Sequence, residues 1–135
     1  MQAVKDAVAS IAVKDAAATI AVRDAKSARK FYEGTLGFKV VDDKMPDAQV
    51  YQSGSSKILV YQSKYAGTNK ATAATWGVGD DIEQIVQGLK AKGVAFEHYD
   101  LPGLTLKGDV HVGEGSHKAA WFKDPDGNIL ALVNE

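Results

Sequence analysis

The 135-residue chain has no cysteine. That absence excludes a disulfide framework, an iron–sulfur cluster, a cysteine-built zinc finger and a thiol nucleophile. It has no long apolar run either. The longest stretch free of Asp, Glu, Lys and Arg is nine residues, far below the ~20 that a membrane-spanning helix requires. Neither sign of charge dominates: 16 basic residues stand against 17 acidic ones, so neither nucleic acid nor an anionic membrane is an expected partner. Charges recur every few residues from the N-terminus onward. That is not the pattern of a secretory signal peptide, and a cytoplasmic location is expected. No Ser–His–Asp nucleophile elbow and no phosphate-cradling glycine motif occurs.

What is present is an ordinary globular mixture, 45% hydrophobic and 24% charged. A chain of this length buries roughly two-thirds of its unfolded surface and needs no staple to fold. Its first feature is a repeat. Ala3-Val4-Lys5-Asp6-Ala7 recurs as Ala12-Val13-Lys14-Asp15-Ala16 and again as Ala21-Val22-Arg23-Asp24-Ala25. A nine-residue period is too short for a solenoid. Only the third copy leads into a helical pattern with aromatics, so it is read as the first true strand. Residues 1–16 are read as an added extension, and residues 17–135 as a single domain. A nine-residue slip would put Ile11 and Val13 where Ile20 and Val22 sit. Register is therefore weakly fixed there, and strand exchange between protomers is open.

From Thr19 onward the chain runs strand, helix, strands, and then repeats. Strands are expected at Thr19–Arg23, Lys39–Asp42, Ala48–Ser53 and Lys57–Tyr61. A helix is expected over Ala25–Leu36, with Ala28, Phe31, Tyr32 and Leu36 on one face and Gly37 as its stop. The second half repeats this with strands at Ala74–Val78, Val94–Tyr99, Lys118–Lys123 and Ile129–Val133. Its helix covers Asp81–Lys92. Val22, Asp24 and Gly37 sit 56 residues before Val78, Asp80 and Gly93, and the closing hairpins match at an offset of 71 (Tyr51 with Phe122, Ile58 with Ile129). Two βαβββ modules follow, at 17–63 and 73–134. Asp124-Pro125-Asp126-Gly127-Asn128 is a tight hairpin turn, with proline presetting φ and Gly127 accepting a positive one. Residues 100–116 are expected to be irregular, with Leu101, Leu104 and Leu106 folding over a pocket or meeting a partner chain.

These residues resemble a known superfamily. Ile20-Ala21-Val22-Arg23-Asp24, Phe31-Tyr32 and Leu36-Gly37-Phe38 are similar to its first module. Asp80-Asp81-Ile82, Lys92-Gly93-Val94 and Trp121-Phe122-Lys123-Asp124-Pro125-Asp126-Gly127-Asn128 are similar to its second. The superfamily is glyoxalase/bleomycin-resistance/extradiol-dioxygenase, or vicinal oxygen chelate. The resemblance implies an α+β fold of paired βαβββ modules whose mixed sheet curls around a cavity, often in a homodimer. It implies either metal-dependent lyase, isomerase, dioxygenase or thiol-transferase chemistry, or metal-free antibiotic sequestration. Fold does not choose among these.

The metal-ligand positions of that family fall here on Ala17, Ala73 or Ala74, Val60 and Ala131, none of which can ligate a divalent ion. No metal and no cofactor is expected. An improvised site would draw on Glu97, His98, His111, Glu114 and His117, although strand alternation keeps Glu97 and His98 off a common face. If Ile20 and Val22 face the first helix, Thr19 and Ala21 face the cavity. If Trp76 and Val78 face the second helix, Thr75 faces the cavity too. Aromatic walls are expected from Tyr51, Tyr61, Tyr99 and Trp121, with Trp121 rather than Phe122 pointing inward. The expected ligand-binding set is therefore Thr19, Ala21, Tyr51, Val60, Thr75, His98, Trp121 and Ala131, with no catalytic residue. The expected function is metal-free binding of a small apolar or aromatic molecule such as an antibiotic. The alternatives are a metal-dependent lyase or dioxygenase-like enzyme with an atypical site, or a dimeric interaction module with a filled cavity.

Overall fold

The computed structural model describes residues 16–135. The first copy of the repeat and most of the second, with the expected extension, lie outside the described residues. The third copy ends β1 (Ala18–Val22) and opens α1 (Ala25–Arg29). Asp24 caps that helix by accepting from the backbone N–H groups of Lys26 and Ser27 at 3.0 and 3.3 Å. These bonds hold its carboxyl below the ordinary aspartate range.

The helix is α-helical over Ala25–Arg29 and widens to π-type turns over Lys30–Thr35. Leu36 N–H reaches back five residues to the Phe31 carbonyl at 2.9 Å. Two consecutive aromatics of this segment enter the core. Tyr32 stacks on Tyr51, while Phe31 turns toward Phe122.

β2 (Lys39–Asp42), β3 (Ala48–Ser53) and β4 (Ser56–Gln62) complete the first module. β5 (Thr72–Gly77) and α2 (Ile82–Ala91) open the second. β6 (Phe96–Glu97), β7 (Thr105–Lys107), β8 (Val110–Val112), β9 (Lys118–Lys123) and β10 (Ile129–Val133) follow. The first sheet has the order β1-β4-β3-β2, and the second β5-β10-β9-β8-β7, with β6 also pairing with β9. In each sheet the module's first strand lies parallel to its last, and the remaining pairings are antiparallel. The sheets approach one another along β1 and β5. The fold is the expected pair of βαβββ modules. The stretch expected to be irregular differs, because it carries the β7–β8 hairpin at the outer edge of the second sheet.

One core serves both modules. Ile20, Val22, Ile58 and Val60 from the first sheet join Ala120, Phe122, Leu130 and Leu132 from the second under the apolar faces of α1 and α2. The Asp124–Asn128 turn locks the halves together. Buried Asp124 accepts from its own turn, at Asp126 N, Asn128 N and Asn128 Nδ2 (3.0, 2.9 and 2.8 Å), and from the Tyr32 hydroxyl of α1 at 2.8 Å. Asn128 Nδ2 also donates to the Ala21 carbonyl at 2.7 Å, and Arg23 N–H donates to Asp126 at 3.2 Å. Burial, then the adjacent Asp124 carboxylate, pushes the Tyr32 hydroxyl far up, so it remains a donor.

The modules superpose with one change. Ile20 lies opposite Val60 as Trp76 lies opposite Leu132, keeping the offset of 56. Tyr51 pairs with Ile58, but Phe122 pairs with Leu130. The second hairpin is thus one residue longer, and the last strands match at 72, not 71. Leu59, not Val60, is the counterpart of Ala131.

Candidate ligand cavity

Strand alternation gives each sheet a helix-facing side and an outward side. On the second sheet, Thr75, Ala131, Trp121 and Glu97 form one outward row across β5, β10, β9 and β6. His111 of β8 lies opposite Ala119 on the same side. Over this face opens a cavity of about 340 Å³, walled by Tyr99, Trp121, Leu101, Ile129 and Thr72, with Lys70 and Ala71 completing it.

Two rings wall it and a third supports them from behind. Tyr99 meets Trp121 edge-on at 5.4 Å between centroids, and His111 meets Trp121 edge-on at 4.9 Å. His111 is 1% exposed. Its Nε2 accepts from the Tyr99 backbone N–H at 2.9 Å, which puts the ring proton on Nδ1. That Nδ1 is buried without a partner. His111 therefore fixes Tyr99 through the backbone and supports Trp121 through its ring. The Tyr99 hydroxyl is shifted upward by burial first and by Glu97 second, so it stays a hydrogen-bond donor at neutral pH.

Of the residues expected at a pocket, Trp121 walls the cavity, and Thr75 and Ala131 lie on the same sheet face. Phe122 points into the core, as expected. Thr19 and Ala21 lie on the outward side of the first sheet, opposite Leu59 and Tyr61 and apart from this cavity. Three residues are placed otherwise. Tyr51 and Val60 are fully buried on the helix-facing side. The Tyr51 hydroxyl donates to Glu33 at 3.0 Å, and Val60 was assigned outward only because the longer second hairpin shifts the register by one. His98 follows Glu97 in the chain and so takes the other side. It meets Asp109 at 2.7 Å, and Lys90 meets the other Asp109 oxygen at 2.6 Å. The hydrogen bonds from Lys90, first, and His98 hold the Asp109 carboxyl below its ordinary range.

Tyr99 is among the aromatics that the sequence expected around the cavity, whereas His111 is a site residue to which it assigned no such role. Tyr99 lies two residues beyond Glu97, a usable signal. His111 had none, because its place depends on an unforeseen strand. Leu101 lines the cavity yet stays 39% exposed, and Leu106 is 40% exposed at the edge of the second sheet.

The metal positions now read Ala17, Ala73, Leu59 and Ala131, which offer no donor side chain. Among the described residues no three His, Asp or Glu side chains come close enough to hold an ion. His111 Nε2 is engaged by Tyr99, and His98 by Asp109. The residues present do not fit a divalent metal.

The model of the Glyoxalase/Bleomycin resistance protein/Dioxygenase superfamily matches residues 11–132. The chain belongs to that superfamily. Solved members share its fold. A bleomycin-binding protein complexed with bleomycin aligns with a TM-score of 0.66 at 21% identity, over 91% of this chain and 99% of its own. The lactoylglutathione lyase of Agrobacterium tumefaciens gives 0.68 at 12% identity, over 91% and 94%. The genomically encoded fosfomycin resistance protein FosX of Listeria monocytogenes gives 0.64 at 11%, over 93% of each chain. No curated protein sequence matches. Among the described residues no helix is long and apolar enough to cross a membrane.

Proposed function

We propose that this superfamily member is a metal-free binding protein for a small aromatic molecule, held between Tyr99 and Trp121 over Ala131 and Thr75. One observation carries the reading. The outward face of the second sheet, whose family metal positions Ala73 and Ala131 offer no donor, carries instead an open cavity of about 340 Å³ with mainly aromatic and aliphatic walls. The Tyr99 hydroxyl supplies a donor at the rim. A bleomycin-binding protein shares the fold, which supports sequestration of an antibiotic-like compound as the role. We place the protein in the cytoplasm as a homodimer, without nucleic-acid or membrane partners. The outward side of the first sheet, where Tyr61 and Val41 are exposed, is the surface for self-association.

The test is titration of Trp121 fluorescence with aromatic antibiotics, bleomycin included, beside the Tyr99→Ala variant, which keeps the reporter. Saturable quenching that weakens in the variant supports the reading, and its absence across the series refutes it. A metal-dependent lyase or dioxygenase-like activity has less support, because the histidines do not converge.

A further inference from the structure

The cavity over the second sheet has a chemical sign as well as a shape. Four of the residues that line it carry polar side-chain atoms: Lys70, Thr72, Tyr99 and Trp121. The ammonium and the indole N–H can only donate, and both hydroxyls can donate as well. Among the described residues no carboxylate, amide or imidazole lines this cavity. Lys70 is exposed and, among the described residues, pairs with no carboxylate. The two acids next to Tyr99 in the chain are placed elsewhere. Glu97 meets Lys123 at 3.6 Å, and Asp100 lines a neighbouring cavity with His98, Leu104 and Leu106.

The entry to β5 explains how two of these donors arrive. Asn69 Oδ1 accepts from the Ala71 N–H at 3.1 Å, a side-chain turn that brackets Lys70. The pairing with β10 then slips: Ile129 stands beside Thr72, but Leu130 stands beside Ala74. Ala73 is the extra residue, and such a bulge re-aims the side chains next to it. Strict alternation would turn Thr72 to the side opposite Thr75. With the bulge, Thr72 shares the cavity wall with Ile129. An aromatic surface ringed by donors alone, one of them a cation, is complementary to an aromatic ring that carries a negatively charged acceptor.

We infer that the ligand of this cavity is an aromatic carboxylate, its ring against Trp121 and its charge taken by Lys70, with the Thr72 hydroxyl beside it. This inference rests on the ligand-binding reading and narrows it to a class of compound.

The probes are 2-naphthoate and 2-naphthamide, which share a ring system and differ in charge, titrated into the full-length chain by calorimetry. The carboxylate is expected to bind about three- to fivefold more tightly than the amide, the worth of one exposed ion pair. That margin should shrink in about 0.5 M salt, where exposed charges are screened. Lys70→Met is expected to bring the two affinities together, and Lys70→Arg to keep them apart. Equal affinities in the unsubstituted chain, or tighter binding of the amide, overturn the inference while leaving aromatic binding in place. A preference for the carboxylate that survives Lys70→Met overturns it too. If neither probe binds, the ligand-binding reading fails, and this inference fails with it.

Discussion

Tyr32→Phe tests how the two modules are joined. The Tyr32 ring is fully buried and keeps its stack on Tyr51 and its edge contact with Phe31 after the change. Only the hydroxyl is lost, and with it the 2.8 Å bond to Asp124. Asp124 keeps the three donors of its own turn, so the carboxylate is not orphaned, and the cost is that of one hydrogen bond to a charged group. Such bonds contribute about 1.5–3 kcal/mol. The bond links α1 of the first module to the closing turn of the second, so its loss weakens the junction while each module keeps its internal pairing. Urea unfolding followed by tryptophan fluorescence is the assay, with an unchanged m-value required if the compactness of the end states is unaltered. Tyr51→Phe is the control. It removes a bond of similar length, but to Glu33, which is partly exposed and already paired with Arg29, so about 0.5–1.5 kcal/mol is expected. A Tyr32→Phe loss below that of Tyr51→Phe would refute the claim that the turn fastens the modules together.

Four further outcomes follow from the structure. Gly67→Ala should destabilise by at least about 2 kcal/mol, measured by urea unfolding, because φ is +72° and a Cβ would stand 1.9 Å from the Asp126 carbonyl oxygen. His111→Ala should cost about 2–4 kcal/mol and weaken aromatic binding, since it orphans the Tyr99 N–H and opens a gap beneath Trp121; thermal melts and fluorescence titration check both. Glu33 is held below the ordinary carboxylate range, chiefly by its bond to Arg29. A depressed folded value means stability that is present above the unfolded pKa near 4.3 and is lost as pH falls through the folded one. Glu33→Gln should therefore flatten the acid limb of a stability-versus-pH curve below about pH 4. Elemental analysis after incubation with Zn, Ni, Mn and Fe(II) and desalting should find far less than one ion per chain, and stoichiometric metal would sink the metal-free reading.

The parts of the fold legible in the sequence are those set by local chemistry. Apolar periodicity placed both helices and most strands, because Ile82, Val86 and Leu89, or Ile58 and Val60, have one side to bury. The Asp-Pro-Asp-Gly-Asn turn was legible as a turn, but its clamp on Tyr32 and Ala21 was not, since hydrogen bonds between residues 92 and 107 positions apart leave no local signature. The β7–β8 hairpin was hidden by its short strands among glycines. His111 was hidden with it, because its place on the outward face depends on that hairpin pairing with β9.

The error at Val60 is the instructive one for the site. An offset between modules is a good guide only while both copies have equal loops, and side-chain direction has a period of two. One extra residue in the second hairpin leaves every strand in place yet reverses the side assigned to each residue beyond the turn. The correction moves the fourth metal position from Val60 to Leu59, and the conclusion survives because leucine also lacks a donor. It does not survive equally for the ligand set. Tyr51 and Val60 leave it for the core, while the outward row of the second sheet keeps Thr75, Ala131 and Trp121 together. The aromatic wall is thereby confined to the second module, where Tyr99 and His111 complete it. A ligand gripped there gains its contacts from one sheet of one chain, so substitutions at Thr19 or Ala21 should leave binding unchanged in a monomer. They would matter only if a partner chain brought its first sheet over the cavity, and titration of Thr19→Lys across protein concentrations would separate the two cases.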